Sequence, residues 1–250
     1  GDVYKRQMSQ LALDRPLVAQ AATSQWGSLR RVAGWATLAQ LLCLLLSAVA
    51  GIAVGLEPAT AQEYFAMLQN DRVVGLLRLD FPTLVMICLF SITSYGIYGV
   101  LRRSDGAYAG LATMLVYVGV VLALANHSAF SMIRLSDLYA VATTAAAQEQ
   151  LLVAGEAVIA GDMWHSTSGF LAGIFMQGGF VLVSALMLRS KAFSKGTAVS
   201  GLAANGLDFL HVFVGLLLPS LATGMLWIAG GFYLAWFPLL ARDLLKRGRE

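Results

Sequence analysis

Asn205, Asp208 and His211 carry the sharpest chemical signal in the chain, because all three sit inside one apolar run. Asp208 and His211 are three residues apart and share a face if the run is helical. A carboxylate beside an imidazole can hold a proton or bind a polar group, and an ionisable residue inside a membrane span marks a functional site by default. A second pair with the same spacing, Asp162 and His165, precedes another apolar run, and His127 follows Asn126 near the end of a third. Three histidines and two aspartates converging on one side of a membrane would offer zinc its usual nitrogen and oxygen ligands. A bound zinc would activate water for hydrolysis of a lipid or a small amide. No His-Glu-x-x-His or other metal-ligand spacing accompanies them, so no metal and no cofactor is assigned. The plainer alternative is a buried Asp208 bonded to His211 or to a hydroxyl of a neighbouring span, serving packing alone. Ser91, Thr93, Ser94, Tyr95 and Tyr98 of one neighbouring run are candidates for that hydroxyl.

The elements that must position these residues follow from composition. Apolar residues make up 58% of the chain and charged residues 12%, against about 25% charged in ordinary soluble domains. So few charges leave a surface suited to lipid. The opening residues Gly1 to Gln7 read as a translated library-adapter sequence, with Met8 as the natural start. Setting them aside removes Lys5, Arg6 and Asp2 and lowers the net charge of +3 by one. Cys43 and Cys88 both fall within apolar runs, as small core residues do.

Six runs are long enough to cross a bilayer as helices of about 20 residues: 32–56, 81–101, 107–130, 169–188, 197–218 and 221–240. The expected architecture is an all-α polytopic membrane bundle over 32–241, between tails at 8–31 and 242–250. Residues 131–168, between spans three and four, form an outside helical cap broken near Gly155 and Gly161. Lysine and arginine set the orientation, since they stay on the cytoplasmic side. Arg30, Arg31, Arg102, Arg103, Arg189, Lys191, Lys195, Arg242, Lys246, Arg247 and Arg249 fall with Arg15 on one side. Only Arg72, Arg78 and Arg134 fall on the other. This split works only for an even number of spans and puts both termini in the cytoplasm of an inner-membrane protein. The basic balance anchors the chain in the bilayer and gives no case for nucleic acid.

The fifth span must compensate its polar content. A central aspartate costs roughly 2.5–3.5 kcal/mol on the insertion scale, while the run's leucines, valines and phenylalanines return about 5 kcal/mol together. Gly201, Asn205, Asp208, His211 or Val212, and Gly215 follow three-to-four spacing and form a small and polar stripe suited to a helix interface. Trp26, Trp35, Trp164, Trp227 and Trp236 are expected mostly in the aromatic belts at span ends.

Several features resemble a prokaryotic six-span membrane family catalogued as a domain of unknown function. They are Arg31-Val32-Ala33-Gly34 opening span one, Leu77-Arg78-Leu79 before span two, Tyr98-Gly99-Val100-Leu101-Arg102-Arg103 closing it, and the long outside helical connection. The resemblance covers about Arg31 to Lys246. It departs at the turn before span five, where Ser194 replaces the family's proline and Ala198 its glycine. It implies the six-span fold and brings no catalytic residues.

Three functions stay open on the sequence. The first is a non-enzymatic module binding a lipid, small ligand or protein partner. The second is a proton-coupled carrier using Asp208, and the third a metal-dependent hydrolase using Asp208, His211, His127 and His165. No phosphate-binding loop, nucleophile elbow or haem-attachment motif is present, nor any internal repeat of the kind transporters carry. A reporter fused to the carboxyl end is expected in the cytoplasm. Its appearance on the far side, or recovery of the chain in the aqueous fraction without detergent, would overturn the whole topology.

Overall fold

In the computed structural model the described residues form helices and their connections, with no strand among them. The structure describes residues 25–55 and 58–249, and of residues 2–24 the backbone alone; the adapter reading of 1–7 and most of the tail 8–31 lie outside what it describes in full. The elements are α1 (Asp2–Val54), α2 (Ala61–Asn70), α3 (Arg72–Arg78), α4 (Phe81–Ala125), α5 (Ala129–Val141), α6 (Ala145–Ala160), α7 (Thr167–Arg189), α8 (Lys195–Val214) and α9 (Pro219–Arg247). Among the described residues five helical stretches have the length and apolar composition to cross a membrane: Gln25–Val54, Phe81–Val141, Thr167–Arg189, Lys195–Val214 and Pro219–Arg247.

The second stretch is where the number five meets the expected six. Within α4 only Asp105 leaves the helical conformation, at φ −137° and ψ 51°. The Tyr117 hydroxyl nevertheless donates to the Ser91 carbonyl at 3.1 Å, across 26 residues. In a straight helix that separation would be about 39 Å, at about 1.5 Å per residue. The segments 81–104 and 106–125 therefore lie side by side as a hairpin turned at Asp105.

α4 packs chiefly on α7 and α1, α8 lies between α7 and α9, and α9 returns to α1. Backbones approach closely where a side chain is absent. A Cβ on Gly119 would meet the Met176 amide nitrogen at 2.5 Å and the Ala172 carbonyl oxygen at 2.7 Å, so α4 and α7 can touch only because that residue is glycine. The core contains Phe90, Phe180, Phe237, Ile97, Leu101 and Trp236. Trp236 is fully buried, edge-on to Phe180, which removes it from the expected belt. Trp35, Trp164 and Trp227 are exposed.

Two ends of the bundle can be told apart. At the basic end, Arg30 donates to the carbonyls of Arg247 at 3.2 Å and Gly99 at 3.4 Å, joining α1, α9 and α4. The described part of the expected tail, 25–31, is thus helix packed into the bundle, and the Arg102 guanidinium lies 3.8 Å above the Trp26 ring. Asp243 of α9 accepts from the Ser194 amide at 2.9 Å and the Thr197 hydroxyl at 2.6 Å, which fixes the start of α8.

At the opposite end, α2, α3, α5 and α6 gather into a cap with a core of its own, made by Tyr64, Phe65, Leu68, Leu79, Ala129 and Met132. Asp71 starts α3 by accepting from the Val73 and Val74 amides, and Thr144 starts α6 by accepting from Ala147, as N-caps do. Arg72 and Asp137 pair through both guanidinium nitrogens at 2.8 and 3.1 Å, which holds Arg72 further above its ordinary pKa. The expected break at Gly155 does not occur. The connection breaks at 142–144, and Gly155 lies within α6, where its missing side chain admits Ala61 and Phe65 of α2.

α8 ends at Val214, four residues short of the expected span, and Gly215–Leu218 makes a turn to α9. Leu216, Leu217 and Leu218 are exposed there, while their amides are satisfied by the carbonyls of Phe213 and Val214. Gly119→Val should abolish or strongly weaken α4–α7 packing. By contrast Gly224→Ala, which meets no atom within 4 Å, should be neutral or stabilise by up to about 1 kcal/mol. Thermal unfolding of both variants in detergent separates the two outcomes.

Candidate functional site

Asn205, Asp208 and His211 face inward from α8, and the two helices beside it supply their partners. Asp208 Oδ2 accepts a hydrogen bond from Gln177 Nε2 of α7 at 2.7 Å and another from the Tyr233 hydroxyl of α9 at 2.9 Å. Asn205 donates to the Gly201 carbonyl at 2.8 Å, which turns its Oδ1 toward Tyr233 at 3.1 Å; Gln177 Oε1 stands 3.2 Å from the same hydroxyl. One hydroxyl proton therefore faces three oxygens and can serve one at a time. His211 Nδ1 lies 3.5 Å from Asp208 Oδ1, within reach of charge attraction, yet makes no hydrogen bond. Asp208 Oδ1 receives no hydrogen bond from any described residue, and the Asp208 side chain is 14% exposed. The hydroxyls expected to meet Asp208 are employed elsewhere: Thr93 donates to Gln40 at 3.0 Å, and Ser94 to the Ser91 carbonyl.

Asp208, His211, Gln177 and Tyr233 form the polar floor of a cavity of about 360 Å³. Its walls are apolar: Leu44 of α1, Met86, Ile87 and Phe90 of α4, Phe170 and Met176 of α7, and Phe237 of α9. Its mouth lies at the cap end, beside Trp164, His165 and Ser166. The volume is at the lower end of small-ligand pockets, roughly 300–1,000 Å³. α1 and α9 meet closely at the basic end, where Gly34 abuts Leu245 and Ala241. Toward the cap end, Gly51 of α1 and Gly224, Gly230 and Gly231 of α9 face open space. Leu44 of α1 and Tyr233 and Phe237 of α9 line the cavity together with residues of α4, α7 and α8.

The two expected clusters meet only in part. His165 lines the same cavity as Asp208 and His211, whereas His127 and Asp162 line a separate crevice with Asp80 and Tyr64. That crevice holds about 10 Å³, room for about one water. Both residues have local work. Asp162 accepts from the Trp164 and His165 amides and from His165 Nδ1 at 2.9 Å, shaping the turn into α7. His127 Nδ1 accepts from the Ala129 amide at 3.2 Å at the start of α5. Among the described residues no three His, Cys, Asp or Glu side chains come close enough to share a metal ion, which leaves the hydrolase without a ligand set there.

Gln177 and Tyr233 are the site residues that the sequence reading missed. Gln177 is a lone amide in the apolar run of α7, and Tyr233 lies mid-run, away from the belts where tyrosine usually sits. Either departure pointed to a buried partner. Comparisons with protein-family models, curated proteins and solved structures each find no match to this chain.

Removing a donor from the Asp208 carboxylate leaves it under-satisfied. Tyr233→Phe should destabilise the bundle by about 1–3 kcal/mol. The same change should cost less in an Asp208→Leu background, which needs no donor. Additive losses in that double-mutant cycle, read from thermal unfolding, would show that the two side chains do not act together.

Proposed function

We propose that this chain is a six-crossing protein of the inner membrane that binds a small, largely apolar molecule with a polar end in the cavity above Asp208. The observation that carries this reading is the pairing of apolar walls with one cluster of polar groups at the floor, the usual make-up of a small-molecule site. Asp208, His211, Gln177 and Tyr233 orient the polar end, while Phe90, Phe170 and Phe237 enclose the rest.

The six crossings are supported by the α4 hairpin at Asp105, whose halves are each about 20 residues long. The charge split supports a cytoplasmic basic end and both termini inside. On this topology the cap of α2, α3, α5 and α6 stands outside, and the cavity mouth opens on that side or toward the outer leaflet between α1 and α9. The exposed leucines, valines and aromatics along α1 and α9 suit contact with lipid tails. The resemblance to the six-span family of unknown function belongs to the same proposal.

A proton-coupled carrier shares this site and would add movement. The binding module is the better-supported reading, since α1 and α9 close together at the basic end, where Gly34 abuts Leu245 and Ala241. The test uses 2-phenylethanol, an apolar molecule with one hydroxyl. At saturation it should raise the unfolding temperature of the purified chain in detergent by the mass-action stabilisation of a bound ligand. Leu44→Trp, which places an indole in the cavity wall, should abolish that shift. An equal response in the wild type and in Leu44→Trp would mean the cavity does not hold the probe.

A further inference from the structure

We propose that the ligand's polar end is an ammonium group, which docks on Asp208 Oδ1; this rests on the cavity being a ligand site. The first argument is charge. No lysine, arginine or glutamate lines the cavity. α1 and α4 contribute no titratable group to it, α7 contributes the neutral Gln177, α9 contributes Tyr233, and α8 contributes Asp208 and His211. His165 stands at the mouth, but its Nδ1 is turned to Asp162 at 2.9 Å. A carboxylate inside apolar walls requires a partner charge or a proton, and His211 is the sole group in the cavity placed to share one with it.

The second argument is direction. Both hydrogen bonds that Asp208 accepts fall on Oδ2, and Oδ1 accepts none. Asp208 Oδ1 is left without a donor, so a ligand that brings both N–H groups and a positive charge fits it. A carboxylate or phosphate end would meet repulsion. A hydroxyl end could donate one hydrogen bond to Oδ1 and would leave the charge unmatched.

An arriving ammonium places an N–H on Asp208 Oδ1 and supplies a positive charge beside the carboxyl, while Gln177 and Tyr233 keep their hydrogen bonds to Oδ2.

Titration of the full chain in detergent micelles with three matched probes tests this. 2-Phenylethylamine, 2-phenylethanol and 3-phenylpropanoate share a ring and differ in their ends. The amine should bind at least about tenfold more tightly than the alcohol, and the acid most weakly. Asp208→Asn should bring the amine down to the alcohol's affinity. His211→Gln should keep the amine preference, and the ranking of the three probes on the wild type carries the test if the Asp208 variant fails to fold. Equal affinities for amine and alcohol would overturn the ammonium reading and leave the cavity reading standing. Failure of all three probes to bind the wild type would overturn both.

Discussion

A carboxylate set among apolar side chains constrains everything around it. Asp208 meets that constraint by drawing one donor from each flanking helix, Gln177 from α7 and Tyr233 from α9. Hydrogen bonds between membrane helices are individually modest, on the order of 0.6 kcal/mol on average. Here two of them converge on one carboxyl oxygen. They also fix three helices at one level, so the position of the polar floor and the packing of α7, α8 and α9 are one arrangement. The cavity lies above this level, while Phe180 and Trp236 fill the interior below it.

The bundle's two ends are built on different chemistry. The basic end closes through charged groups bonded to backbone carbonyls, as with Arg30 on Arg247 and Gly99, and through Asp243 on the first turn of α8. The cap end has a second apolar core, joined to the bundle through α3 on α1 and α4. Between them, glycines permit close approach where helices must touch, as at Gly119. Elsewhere they leave space where helices do not meet, as at Gly230. The same residue type thus reports opposite things, and only its neighbours decide which.

Much of the fold was legible because lipid leaves long unbroken apolar runs. The boundaries of α7 and the start of α9 match the runs to within two residues, and the helical cap follows the alanine-rich stretch. Two elements were read wrongly for identifiable reasons. Gly155 looked like a breaker, yet its small size serves packing against Phe65. The segment before Val32 looked like a polar tail, yet Trp26 and Arg30 are used by α4 and α9. Of the site, Asp208, Asn205 and His211 were visible because polarity in an apolar run is conspicuous. The convergence of His127 with His211 was not decidable from spacing, since loops at span ends can face either the bundle or the cap. Gln177 and Tyr233 stayed hidden because an amide and a phenol are mild departures from an apolar run, and pairing across helices leaves no trace in sequence separation.

The leucine turn between α8 and α9 bears on how this protein is made. On the topology proposed above, a polar loop at that position would have to be carried through the membrane interior during biosynthesis. Leu216, Leu217 and Leu218 offer nothing hydrophilic to carry, and their amides are already bonded to the preceding turn, as hydrocarbon surroundings demand. α8, the least hydropathic of the five stretches, can therefore enter the bilayer together with α9 as one hairpin. On that proposed topology, the Tyr233 hydrogen bond would meet the burden of Asp208 within the hairpin, before α8 has to stand in lipid alone.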